Sequence, residues 1–189
     1  MIASLIATVL LATAPGPLEV VKSGNADVQK AAKAPEATVE QLSQVVSGFV
    51  DFQELSKRAL GGTWAKLPPE QRQEFAQTME GLLRASYAQK AISQNKVLAK
   101  VQYGEETVVG SEARVNTTLI VGGDKVPVNY KLYQQKGTWR IYDIITDEVS
   151  LLETYKGQFS KLLADKGFDG LLATLKAKRE EMEKGGAAQ

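Results

Sequence analysis

Val39, Leu42, Val45, Val46 and Phe49 recur at intervals of three and four after Thr38, the spacing of one apolar helix face. Asp51 stands at the N-cap of a second short helix, with Glu54 in capping-box position. Phe52, Leu55, Ala59 and Leu60 form its inner face. Gly61-Gly62 is expected to end it, because a left-handed terminating residue is cheap only for glycine. Pro68-Pro69 opens a third helix, where a missing N–H costs nothing. The stripe of that helix is Phe75, Met79, Leu82, Leu83 and Tyr87.

After Lys96 the period changes to alternation. Val101 and Tyr103 alternate with polar neighbours, as do Val115, Thr117, Leu119 and Val121. Gly122-Gly123-Asp124 turns the chain into Val126, Val128, Tyr130 and Leu132, and Lys136-Gly137 turns it again into Trp139, Ile141 and Asp143. These segments predict four successive antiparallel strands with one apolar face that must be covered. The cover follows in Leu151, Leu152, Tyr155, Phe159, Leu162 and Leu163, at helical spacing, and Gly167 ends that helix. Asp169 caps a last helix carrying Leu171, Leu172 and Leu175. The fold class is α+β: a curved four-stranded antiparallel sheet with helices before and after it.

The expected division of the 189 residues has four parts. Residues 1–14 contain an uncharged apolar run, Ile2 to Ala14, too short to span a bilayer comfortably. It resembles the apolar region and small-residue end of a secretory signal peptide. Residues 15–37 are rich in Ala, Lys, Pro and Gly and are expected to be a mobile leader, with a short helix near Asp27 to Lys33. Residues 38–178 form the domain, and 179–189 a frayed tail.

Composition narrows the chemistry. Lys plus Arg is 23 and Asp plus Glu is 22, which gives no basic footprint for nucleic acid. The chain has no His, the side chain best suited to proton transfer near pH 7, and no Cys for thiol nucleophiles, disulfides or thiolate-bound metals. Phosphate-cradling glycine motifs, a G-x-S-x-G elbow and H-E-x-x-H are absent from the sequence. Asp147-Glu148 could be an acid pair, but neighbours on a strand point to opposite faces. Asp143 is the carboxylate of interest. By alternation it shares the inward face of Trp139 and Ile141. Small cone-shaped α+β isomerases and lyases use a buried Asp as general base. The competing reading is an Asp hydrogen-bonded to backbone or to Arg140 or Arg72.

What remains is apolar surplus. Strands offer Val115, Leu119, Val128, Tyr130, Leu132, Trp139 and Ile141, and helices offer Phe49, Trp64, Phe159 and the stripes above. Composition alone does not separate a solid core from the wall of a cavity.

Three blocks carry a resemblance. VDFQELSKRALGGTWAKLPPEQRQEF, Val50 to Phe75, resembles F-D-F-x-x-[LM]-x-x-x-x-L-G-x-x-W-x-x-x-x-P-E-Q-R-x-x-F. GTWRIYDIITDEVSLLETYKGQF resembles W-x-[VI]-Y-D-[VI]-x-x-x-G-V-S-[LMI]-x-x-x-Y-[RK]-x-x-F, and KGFDGLLATLKAK resembles G-[LIF]-D-G-L-[LI]-x-x-L. In this order and spacing they resemble the MlaC family, phospholipid-binding shuttles of the Mla lipid-transport system that include the toluene-tolerance ABC-transporter auxiliary proteins. Val50 stands where an aromatic is usual, Glu148 where glycine is usual, and Lys156 where Arg is commoner.

The resemblance implies a periplasmic protein exported in a Gram-negative bacterium, monomeric and without cofactor or catalysis. Its cargo would be a diacyl phospholipid. Its partners would be an inner-membrane MCE-protein/ABC-transporter complex and an outer-membrane lipoprotein–porin complex. Acyl chains would lie between sheet and helices, against Phe52, Leu55, Leu60, Phe75, Met79, Leu83, Tyr87, Val115, Leu119, Val128, Tyr130, Leu132, Ile141, Val149, Leu152 and Tyr155. Trp64 would be a structural plug in the cavity wall.

Overall fold

A computed structural model describes residues 14–34, 38–88 and 99–186. The apolar run expected to direct export lies outside them, apart from Ala14.

Helix α1, Pro17–Ala32, occupies most of the expected leader and is longer than the short helix anticipated there. Val21 is buried, and Leu18 and Val20 pack on the sheet. The main-chain N–H of Leu18 donates to Glu106 at 2.6 Å, anchoring the helix start to the first strand. Helix α2, Val39–Ser47, begins in a full capping box between Thr38 and Gln41. Helix α3 is Phe52–Leu60, and Asp51 caps it by accepting the Glu54 N–H at 2.9 Å. The return half of that box is missing, because the Asp51 N–H donates to the Ile141 carbonyl at 2.7 Å. The Glu54 carboxylate pairs instead with Lys57 and Arg58. Gly61, at φ 54°, ends α3 as expected. Short α4, Gly62–Lys66, seats Trp64, and α5, Pro69–Leu83, runs into a π-helical turn, Arg84–Ala88.

The sheet has five strands rather than four, in sequential antiparallel order: β1 Lys100–Val109, β2 Glu112–Val121, β3 Asp124–Gln135, β4 Thr138–Thr146 and β5 Val149–Ser150. The added strand is two residues long, too short for alternation to announce it. Asp147 and Glu148 form its hairpin turn at φ 49° and 66°, rather than two opposed strand positions. Left-handed backbone at both turn residues is the hairpin geometry that favours glycine, and Glu148 holds the position where the family pattern has one. The last helix, α6, is Leu151–Gly186, broken at Gly167 where φ is 67°. It remains helical as far as Gly186, inside the expected frayed tail, with Met182 packed against the helical core.

The core divides in two. One cluster joins α3, α4, α5 and α6 with Tyr133 and Tyr142, and Trp64 is buried in it. Phe75 and Phe159 meet there edge to face at 5.5 Å. The other cluster lies on the opposite sheet face, where Val115, Leu132, Trp139 and Ile141 pack under Val21 and Val50. A bulge separates the faces. Leu132 pairs with Ile141, but Lys131 pairs with Asp143, so Tyr142 is the extra residue. One inserted residue inverts the alternation beyond it. Asp143 therefore lies opposite Lys131 and not on the face of Trp139 and Ile141, where alternation placed it.

Candidate functional site

An apolar cavity of about 450 Å³ opens at the seam between the two clusters. That volume lies within the roughly 300–1,000 Å³ range of ligand pockets. The free edge of β4 positions its walls. Ile141 exchanges backbone hydrogen bonds with Phe49 and Asp51, which holds the α2–α3 junction against the sheet. Further along the same edge, Ile145 and Thr146 pair with β5. Val46 and Val50 enter from the first segment, Val149 and Leu151 from the second, Leu55 from α3, Leu83 from α5, and Tyr142 and Ile144 from β4.

Of the residues expected at the lipid, Phe52, Leu55, Leu83 and Val149 lie on this wall. Val149 is 63% exposed, at the rim. Leu60, Phe75, Met79, Leu152 and Tyr155 are buried in the helical cluster. Val115, Val128, Tyr130, Leu132 and Ile141 are buried under α1 on the other sheet face, with Leu119 packed beside them. The side chain of Tyr87 lies outside the described residues. Val46, Val50, Tyr142, Ile144 and Leu151 line the cavity without having been singled out for it. Val46 was visible as part of the α2 stripe; Tyr142 and Ile144 depend on the bulge, which alternation does not encode.

The polar groups around the cavity are mostly committed. Asp143 is fully buried. Its Oδ1 accepts the Leu152 N–H at 2.9 Å, its Oδ2 accepts the Ser150 hydroxyl at 2.7 Å, and the Lys131 ammonium stands 3.3 Å away. The Ser150 hydroxyl in turn accepts the Glu153 N–H at 3.0 Å. Together these groups cap the exposed N–H donors of α6. The carboxylate is thus bound to backbone, with Lys131 as the cation in place of Arg140 or Arg72. This is the work of a structural acceptor rather than of a poised base. The Arg58 guanidinium lies 3.7 Å from the Tyr142 ring centroid and also pairs with Glu54 and Glu112. Burial, and the hydrogen bond with Glu112, push the Tyr142 hydroxyl up to about 12 against the pull of Arg58. It is neutral at any ordinary pH.

A second, polar cleft of about 570 Å³ adjoins the apolar one and shares Ser47, Val50, Phe52 and Glu80 with it. At the apolar mouth Arg84 pairs with Glu40 at 2.9 Å. Among the described residues no cluster of three or more acidic side chains is placed to hold a metal ion, and no helix is long and apolar enough to cross a membrane.

The comparisons with known proteins agree with one another. The chain is 23% identical over 133 residues to the intermembrane phospholipid transport system binding protein MlaC of Haemophilus influenzae, a match covering 67% of this chain and 61% of that protein. It is 24% identical over 141 residues to toluene tolerance protein ttg2D of Pseudomonas putida, covering 71% and 63% respectively. The chain thus spans about six-tenths of the length of these relatives. A phospholipid-binding protein from Ralstonia solanacearum, solved in complex with a phospholipid, has the same fold, with a TM-score of 0.78 at 25% identity over 87% of this chain and 97% of that one. The MlaC protein family matches residues 18–177, from the first turn of α1 into the second arm of α6, and the chain belongs to that family.

Proposed function

We propose that this protein is a periplasmic phospholipid carrier that performs no chemistry on its cargo. It takes lipid acyl chains into the apolar cavity at the seam and exchanges lipid between an outer-membrane lipoprotein–porin complex and an inner-membrane MCE-protein/ABC-transporter complex. The observation that carries this reading is the cavity itself: an apolar void lying between two packed cores in a chain of the MlaC family. The phospholipid in the Ralstonia solanacearum relative supports the same cargo class.

Energetics suit exchange. One acyl chain carries about fifteen methylenes, and at ~0.8 kcal/mol each its gross burial is roughly 12 kcal/mol, so release into water is strongly disfavoured. Between the cavity and a bilayer, or a partner's cavity, the apolar terms nearly cancel. Transfer then needs docking rather than passage through water. A net charge of +1 gives little attraction to anionic membrane surfaces and leaves docking to proteins.

The test is transfer between vesicles. Donor vesicles carry the outer-membrane partner complex and a self-quenched fluorescent phospholipid, and acceptors carry the inner-membrane complex and no label. The expected result is dequenching whose rate rises with added protein. A rate unaffected by folded protein would overturn the carrier reading.

A further inference from the structure

One wall of the cavity stands outside both packed clusters. Helices α3, α5 and α6 share the first cluster, and the sheet with α1 forms the second. Helix α2 gives Ser43, Val46 and Ser47 to the wall, but among its described side chains only Val46 touches a cluster, at its edge. Leu42, its buried residue, is in neither. The rest of the body is braced without α2. Arg58 of α3 pairs with Glu112 of β2 at 2.7 Å, Tyr133 of β3 donates to Asp51 at 2.5 Å, and Asp143 accepts the Leu152 N–H. The two ends of α2 are held differently. At the C-terminal end Arg140 donates to the Ser47 and Val50 carbonyls, both at 2.9 Å, and the Ser47 hydroxyl meets Glu80. At the N-terminal end Glu40 pairs with Arg84 at 2.9 Å across the cavity mouth. Both partners of that pair are partly exposed, which makes it weak. Arg84 also has a second acceptor, since Glu183 of α6 lies 3.9 Å from its other terminal nitrogen.

We infer that α2 is a flap over the cavity, hinged at Gly48 and latched by the Glu40–Arg84 pair. Its purpose, to admit and release an acyl chain, rests on the carrier reading. The other walls are parts of packed cores, and moving one of them would open contacts across a whole cluster. Lifting α2 uncovers Leu42 and parts the helix from α1 and the π-helical turn, but leaves both clusters assembled. Motions of this kind are drawn from the least stable part of a fold. The helix has nine residues and is about 13 Å long, so a small change of backbone angle at Gly48 opens a wide gap at the mouth. When Glu40 leaves, Glu183 keeps Arg84 paired, which gives the latch two positions rather than one bond and its loss.

The chain has no Cys, so Glu40→Cys with Arg84→Cys places two unique thiols at the latch. The doubly substituted full chain is joined by a short bis-maleimide in one sample and capped with N-ethylmaleimide in another. In the vesicle transfer assay the joined protein is expected to be about tenfold slower than the capped one, because the flap is tied down. Equal rates overturn the flap and leave the carrier reading standing. Hydrogen exchange gives a readout that does not depend on transport. Amides of residues 39–47 are expected to exchange before those of α3, α5 and β3. Arg84→Gln should quicken them about threefold, the size of one exposed ion pair, without changing β3. Exchange of α2 in step with β3 overturns the flap whatever the transfer assay shows. Wild type that moves no lipid removes the carrier reading, and hydrogen exchange then decides the flap alone.

Discussion

Asp143 accepts the backbone N–H of Leu152 at 2.9 Å, and this bond ties the bulged strand β4 to the first turn of α6. Both residues are buried, and Asp143 borders the cavity. Removing the carboxylate leaves a buried N–H and the Ser150 hydroxyl without an acceptor. Asp143→Ala should therefore lower stability by about 2 kcal/mol. Asp143→Asn keeps one acceptor oxygen and should recover part of the loss. Urea unfolding with an unchanged slope is the measurement, since a shift of midpoint alone reports stability. Equal stability of all three proteins would remove Asp143 from the joint between strand and helix.

Core and cavity should respond oppositely to side-chain volume. Leu132 is fully buried and away from the cavity, so Leu132→Ala should cost about 3 kcal/mol through the void it leaves. Val46 is half-buried on the cavity wall, so Val46→Trp should fill space that is already empty. Its melting temperature should hold or rise while co-purifying lipid falls. Loss of folding in Val46→Trp would mean that the space is not available.

Helix α1 approaches the α2–α3 junction through Gly24, where an added Cβ would lie 2.8 Å from the Phe49 ring. Gly24→Ala should destabilise by about 1–3 kcal/mol, because overpacking at a fixed ring forces a shift of the helix. Hydrogen exchange should then quicken in residues 17–32 before it does so in β3 or β4. Unchanged protection would show that α1 is not fastened to the body by this contact.

Alkaline pH should weaken the fold through Tyr142. Its hydroxyl titrates near 12 in the folded protein and near 10 when unfolded, so the fold holds the proton more tightly. The stabilisation is complete below pH 10 and is lost as pH rises toward 12. Tyr133 is raised as well, by burial and by its hydrogen bond to Asp51. Tyr142→Phe should flatten, but not abolish, the fall of melting temperature between pH 9.5 and 11. An unaltered slope in that variant would assign the fall to other groups.

Much of this fold could be read along the chain. The capping of α3 by Asp51, the stop at Gly61 and the start of α5 at Pro69 are local rules, and local rules are written in local sequence. Helix α1 escaped because its apolar residues, Leu18, Val20 and Val21, cluster in its first turns and Gly24 interrupts the rest. Its docking depends on that small residue meeting Phe49. Asp143 was found as a buried carboxylate, but its face was wrong, since one bulged residue at Tyr142 reverses every later position of β4. The site was the least legible part. Leu55 and Leu83 reach the cavity while Leu60 and Met79 on the same helices do not. Only the meeting of two separately packed clusters decides which apolar side chains border empty space.

The most direct measurement is mass spectrometry of lipid extracted from the protein after export to a bacterial periplasm and purification without detergent. The account predicts diacyl phospholipid in near-stoichiometric amount, reduced in Val46→Trp and retained in any folded fraction of Leu132→Ala. A folded, monodisperse wild-type sample with no lipid would contradict it.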